Sequence, residues 1–263
     1  MTEWLELCRA AVADVGEVLA RLPTRAEREP VVGEGLGGDE TTAIDRAAED
    51  AILARIRESA GAVVSEEVGR LGDAGLPLVV VDPIDGSLNA KRGIPFFSLS
   101  IAVAEGETMD DVVFGFVHDF GSREEWTARR GDGAWLNGER LGVERPKDEI
   151  EILSFEATRT ALVARDAPKV EGLAHRLRIM GSLALSLCHL AAGRVDAVCS
   201  LKPARSVDIA AAQLLCREVG LAIDLFDVED SFGAAPLDLE QRSRVVAAGT
   251  TAVCTQIARA LSA

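Results

Sequence analysis

An α+β fold is predicted on three observations. Short apolar runs of strand length crowd the chain up to residue 148, strands alternate with helices from residue 149 onward, and no repeat or long linker divides the sequence. The expectation is one compact unit of two intimate halves, an N-terminal α+β half over 1–148 and a C-terminal α/β half over 149–263, stacked as sheets and helices. At 263 residues and 48% hydrophobic content the chain can bury a sizeable core unaided.

The elements follow in order. Trp4, Leu5, Cys8, Ala11, Val12, Val15, Val18, Leu19 and Leu22 recur at helical spacing until Pro23, which gives an amphipathic first helix. Segment 24–39 is charged and glycine-rich, cannot pack a core of its own, and is expected to be a mobile loop. Ile44, Ala48, Ile52 and Ile56 mark a second helix. Residues 62–65 and 76–81 read as short buried strands, and 96–104 and 112–120 continue the pattern. Residues 124–141 have a strand-turn-strand pattern, with Gly131, Asp132 and Gly133 as turn residues. Beyond Glu149 the spacing predicts strands at 150–155 and 177–180, a helix over 182–192, a strand at 195–201 and a helix over 208–219. Strands at 221–226 and 244–248 precede a closing helix that runs to Leu261.

Charge excludes several function classes. With 43 acidic against 28 basic residues the formal charge is -15, a field that repels nucleic-acid backbones and anionic lipid surfaces. No nucleic-acid or membrane partner is expected. An anionic substrate would be repelled too, unless bound cations reverse the sign locally. Glu3, Glu6, Arg9, Asp14 and Glu17 interrupt the N-terminal apolar residues, which is wrong for a signal or transit peptide, and the chain reads as cytoplasmic. Cys8, Cys188, Cys199, Cys216 and Cys254 are scattered and mostly set in apolar runs, so reduced core packing is expected.

The chemistry concentrates at Val79-Val80-Val81-Asp82-Pro83-Ile84-Asp85-Gly86-Ser87-Leu88-Asn89. A buried strand there delivers two carboxylates three residues apart at its end, followed by a Gly-Ser turn. Magnesium wants oxygen ligands and keeps positions for water and phosphate oxygens, which Asp82, Asp85 and the Ile84 carbonyl could complement. The Gly86 and Ser87 amides would point at phosphate if they open a helix or turn. An ordinary strand-end turn is the plain alternative. The pair Glu66-Glu67 follows another short strand, and Asp208 begins an apolar helix, where a capping role is the usual one. His118, His175 and His189 show no zinc spacing, and no serine sits in a nucleophile-elbow sequence.

Taken together, Glu66, Asp82-Pro83-Ile84-Asp85-Gly86-Ser87 and Asp208-Ile209-Ala210-Ala211 resemble the inositol monophosphatase family. The resemblance covers nearly the whole chain. Gly131-Asp132-Gly133-Ala134-Trp135-Leu136-Asn137-Gly138 is similar to the family's hairpin, and Gly181-Ser182 with Gly193-Arg194-Val195-Asp196-Ala197 to its substrate-side helix and strand. Asn89-Ala90 followed by Arg92-Gly93-Ile94-Pro95 is most like the archaeal branch acting on both inositol monophosphate and fructose 1,6-bisphosphate. Departures are Val207 where tryptophan is frequent, Ala90 where phenylalanine is, and Ser87 where threonine is usual, with the hydroxyl kept.

What the resemblance implies is concrete. The fold would be a layered α/β/α/β/α sandwich of the sugar phosphatase type. The activity would be magnesium-dependent hydrolysis of inositol 1-phosphate or fructose 1,6-bisphosphate by metal-activated water. Glu66, Asp82 and the Ile84 carbonyl would hold one Mg2+, and Asp82, Asp85 and Asp208 a second. Asp39 would help a third ion, Mn2+ would substitute, and Li+ would inhibit. Ser87 paired with Asp45 would orient and deprotonate the water that Glu66 holds, with Glu67 behind them. Asp85, Gly86, Ser87, Arg178, Gly181, Ser182, Leu183 and Lys202 would face the substrate, with Arg92 and Arg205 as grips for a second phosphate. A homodimer is expected. The competing readings are a 3′-phosphoadenosine 5′-phosphate nucleotidase, for which a chain of 4% aromatic content and no tyrosine has little stacking surface, and a non-catalytic binding protein on the same fold.

Overall fold

The structure, a computed structural model, describes residues 2–36, 40–72, 75–142, 147, 149–157 and 159–263. Helices Thr2–Arg21 and Ala43–Ile56 cover one face of an eight-stranded sheet. Helices Leu183–Ala191 and Ser206–Glu218 lie between that sheet and a five-stranded one, whose far face is closed by Thr160–Asp166 and Thr251–Ser262. The result is a five-layer α/β/α/β/α sandwich in the α+β class.

Strand periodicity produces the layering. All eight residues of Leu78–Asp85 are buried because both faces of this strand are covered. Val79 and Val81 meet the outer helices, while Leu78 and Val80 meet the middle pair. Ser98–Ala104 divides the same way, Leu99, Ile101 and Val103 to one side and Ala102 and Ala104 to the other. Small residues let the middle layer sit close. Helix Ser206–Glu218 carries buried Ala210, Ala211 and Ala212, and a Cβ on Gly115 of the strand Val112–Asp119 would come within 2.5 Å of the Ala211 carbonyl oxygen.

In the large sheet Ala62–Ser65 and Leu78–Asp85 pair in parallel, with Ser65 opposite Val81, while the other neighbours are antiparallel. In the small sheet Ile150–Glu156 runs parallel to both Ala174–Arg178 and Ala197–Ser200. Parallel neighbours send their C-terminal ends to one edge, where ligands gather in layered α/β arrangements.

Within 24–36, read from sequence as part of a mobile loop, regular structure forms. Arg25–Arg28 forms one helical turn capped by Thr24 and Glu27, and Val31–Glu34 pairs antiparallel with Glu40–Thr42. The Glu27 carboxylate accepts the Thr24 N–H at 2.9 Å, so a capping box supplies local order that apolar patterning does not reveal. Two short helices absent from the sequence reading, Ser87–Arg92 and Thr160–Asp166, also appear. All five cysteines are free and buried. Among the described residues no helix is long and apolar enough to cross a membrane.

Candidate active site

Glu66, Asp82 and Asp85 leave the large sheet together because the parallel strands Ala62–Ser65 and Leu78–Asp85 end side by side. Asp208 reaches the same point on the first turn of helix Ser206–Glu218. These four carboxylates line a cleft of about 360 Å³ together with Asp45, Glu67, Ile84, Gly86, Ser87, Lys91, Glu156, Gly181, Leu183, Lys202 and Arg205.

The backbone of the first motif is shaped for this position. The ladder to Ser98–Ala104 breaks between Asp82 and Asp85, where Pro83 has no N–H to donate, and the Ile84 N–H turns instead to Asp82 Oδ1 at 3.0 Å. Gly86 then takes φ 92°, a left-handed conformation that favours glycine. A Cβ there would also lie 3.1 Å from the carbonyl oxygens of Gly181 and Phe96. Helix Ser87–Arg92 follows, and the Ser87 hydroxyl donates to the Ile84 carbonyl at 2.9 Å. From the other sheet's side, the Ser182 hydroxyl and the Ala184 N–H, at 2.8 Å for the latter, both donate to Asp85 Oδ2 at the start of helix Leu183–Ala191. A carboxylate at a helix N-terminus meets the positive end of the helix dipole.

Two further buried glutamates fix the loops. Glu49 Oε1 accepts from the Ser65 hydroxyl at 2.6 Å and from the N–H groups of Glu67 and Val68 at 3.2 and 3.1 Å, which pins the turn that carries Glu66. Glu156 accepts from the Ser186 hydroxyl at 2.8 Å, the Met180 N–H at 3.3 Å and the Gly181 N–H at 2.9 Å. The Asn89 side-chain amide donates to the Phe96 and Met180 carbonyls, both at 2.8 Å, tying this loop to the first motif.

Electrostatics single the cluster out. Burial raises the pKa of Glu66, against the pull of Arg205, and Asp208 raises it further. Burial and the repulsion of Glu66, Asp85 and Asp208 push Asp82 well above the usual carboxylate range. Asp85 is pushed up to about 7, by burial first, although its bond from Ser182 opposes the shift. Glu67 also rises to about 7 through burial, in spite of the hydrogen bond from Thr41. Burial works against the charge on Arg205, but Asp208, Glu66 and Asp82 outweigh it and drive its pKa further up.

The residues named from sequence fall into two groups. Glu66, Asp82, Ile84, Asp85, Gly86, Ser87, Asp45, Gly181, Leu183, Lys202, Arg205 and Asp208 all line the cleft. Three others do not. Ser182 is buried against Asp85, Arg92 pairs with Glu29 at 3.0 Å, and Arg178 donates to the Leu177 carbonyl at 2.9 Å. Some of the cleft residues have other partners than the resemblance implies. Ser87 donates to Ile84 rather than to Asp45, which accepts the Thr42 N–H at 3.2 Å and stands 3.9 Å from the Lys91 ammonium. Arg205 turns its fork to Glu66 and Asp208. Asp39 lies outside the described residues. Sequence reasoning missed Glu49, Lys91 and Glu156. Glu49 had a usable signal, since it follows Ala48 and precedes Ile52 on the helix face that periodicity assigns to the core.

The all-carboxylate donor set suits a hard divalent cation, and burial, the main cause of the raised pKa values of Glu66, Asp82 and Asp85, disfavours their charged forms unless a cation stands beside them. Asp45 Oδ1, buried without a hydrogen-bond partner, is a further oxygen in the same wall. Among the described residues no three acidic, histidine or cysteine side chains already stand at metal-ligand geometry, and the Arg205 guanidinium is the cation between Glu66 and Asp208.

The chain is similar to known proteins along most of its length. A fructose-1,6-bisphosphatase/inositol-1-monophosphatase of Thermococcus kodakarensis is 35% identical over 218 residues, 82% of this chain and 82% of its own. Human inositol monophosphatase 2 is 31% identical over 275 residues, 98% of this chain and 91% of its own. A solved inositol monophosphatase-fructose 1,6-bisphosphatase superposes with a TM-score of 0.83 at 28% identity, covering 98% of this chain and 99% of that one. With the inositol monophosphatase family model matching residues 1–263 besides, the chain belongs to the inositol monophosphatase family of phosphoric monoester hydrolases.

Proposed function

We propose that this protein is a magnesium-dependent phosphatase whose substrates are inositol 1-phosphate and fructose 1,6-bisphosphate. The observation that carries the reading is the convergence of Glu66, Asp82, Asp85 and Asp208, from two strand ends and a helix start, in one cleft. Relatives named for both activities support the substrate pair. Mg2+ held by Glu66, Asp82, the Ile84 carbonyl, Asp85 and Asp208 would offset phosphate charge and ease deprotonation of water.

The chain's own groups do the rest. Lys91 and Lys202 put ammonium side chains in the cleft wall of a chain of charge -15, and each can balance a phosphate oxygen. The Ser87 hydroxyl donates its hydrogen bond to the Ile84 carbonyl, so its oxygen is left to accept from a water or a substrate hydroxyl. Glu67, with a pKa of about 7, can take up or hold a proton near neutrality. The buried contacts from Ser182 and Ala184 keep Asp85 fixed while this happens.

Phosphate release from inositol 1-phosphate, fructose 1,6-bisphosphate and 3′-phosphoadenosine 5′-phosphate, each with Mg2+ and in excess chelator, tests the proposal. Turnover of the first two with Mg2+ alone is expected. Release in chelator would remove the metal requirement, and preference for the nucleotide would move the substrate class.

A further inference from the structure

We propose that Arg205 is a built-in counter-cation of the carboxylate cluster, bridging Glu66 and Asp208 when no divalent ion is bound and competing with such an ion for those two carboxylates. The inference rests on the reading of Glu66, Asp82, Asp85 and Asp208 as metal ligands and concerns what this chain adds to them.

The geometry is specific. Arg205 Nη2 donates to Glu66 and, at 3.1 Å, to Asp208 Oδ1, while its backbone N–H donates to Asp208 Oδ2 at 2.6 Å. Nε reaches the same Oδ2 at 3.5 Å. The side chain is only 6% exposed, so these charges meet out of water, where attraction is strong and screening weak. Arg205 is also the residue immediately before helix Ser206–Glu218, which fixes the start of its side chain relative to Asp208. A planar fork can join two carboxylates in this way, whereas a lysine offers a single point of charge.

The same contacts make the bridge displaceable. Nη1 is buried and has no hydrogen-bond partner. An unmet buried N–H is costly, so the arginine has an incentive to leave once a better counter-charge arrives. A divalent ion carries twice the charge and draws the same oxygens closer. To use both Glu66 and Asp208 it must first break the fork, and its apparent affinity falls by the fraction of molecules in which the fork is closed. Without either cation, the carboxylates would be buried and uncompensated.

The test measures metal binding and metal-free stability on the full chain stripped of metal. Mn2+ affinity is read by electron paramagnetic resonance and Mg2+ affinity by calorimetry for the parent, Arg205→Ala, Arg205→Lys and Asp85→Asn. Arg205→Ala is expected to bind Mn2+ at least about tenfold more tightly than the parent, and Arg205→Lys to fall between them. In chelator Arg205→Ala should melt below the parent, and saturating Mg2+ should shrink that gap. If the alanine variant does not fold without metal, the lysine variant carries the same comparison. Equal or weaker Mn2+ binding in folded Arg205 variants, with the parent binding normally and Asp85→Asn weakened, overturns the competition and leaves the metal reading intact. No Mn2+ binding by the parent or by any variant overturns both.

Discussion

Asp85 concentrates the problem of this site in one side chain. Its Oδ2 takes hydrogen bonds from Ser182 and Ala184, contacts that an amide oxygen can also accept, so Asp85→Asn keeps the shape and removes only charge. Turnover at saturating Mg2+ is expected to drop about 10²–10³-fold, the usual effect of deleting a preorganised electrostatic contact. The metal-free protein should not melt lower, because burial already disfavours the charged form of this group. Near-parent turnover would take Asp85 out of the ligand set. Its role was legible because Asp82 and Asp85 sit three apart at the end of an unbroken apolar run, a purely local pattern. Arg205 was legible only as a cation near the site. Asp208, three residues on, was a local carboxylate partner in view, but Glu66 is remote in sequence, so the bridge between the two was not legible.

At the scale of elements, the strands and long helices could be read because each shows one covered face, as Leu99, Ile101 and Val103 do along Ser98–Ala104. Ser87–Arg92 and Arg25–Arg28 could not, since one or two turns give too short a window for periodicity and are held by caps and tertiary contacts instead. The loop before helix Leu183–Ala191 depends in the same way on Glu156, whose acceptors serve Met180, Gly181 and Ser186. Glu156→Ala would strand two N–H groups in a part-buried loop. Unfolding free energy is expected to fall by about 2–4 kcal/mol. Glu156→Gln, which keeps an acceptor oxygen, should lose less. Denaturant titration of both variants measures the difference, and equal stability of Glu156→Ala and the parent would mean that the loop is held by other contacts.

On the scale of the whole molecule, the five layers place a buried carboxylate cluster, with Arg205 as its nearest cation, at the seam between two sheets, and its charge must appear in the stability of the entire fold. Glu67 and Asp85 have folded pKa values of about 7, above the roughly 4 of an unfolded carboxylate. Such groups stabilise the fold while protonated, and that contribution is lost as pH rises from about 4 through about 7. Carboxylates with depressed values, such as Asp14 and Asp166 beside their arginines, act in the opposite sense, but only as pH falls below the unfolded range. His118 and His189, whose pKa values burial lowers, also oppose the trend up to about pH 6.5, so the pH profile of the metal-free protein alone is mixed. The difference between metal-loaded and metal-free protein is cleaner, because the histidines lie outside the cleft wall and contribute equally to both. Mg2+ binds only ionised carboxylates, so it restores what deprotonation removes. The gap in melting temperature between excess Mg2+ and excess chelator is therefore expected to widen steadily from pH 5 to pH 7.5. A gap that stays constant over that range would show that the cluster does not exchange protons for the metal.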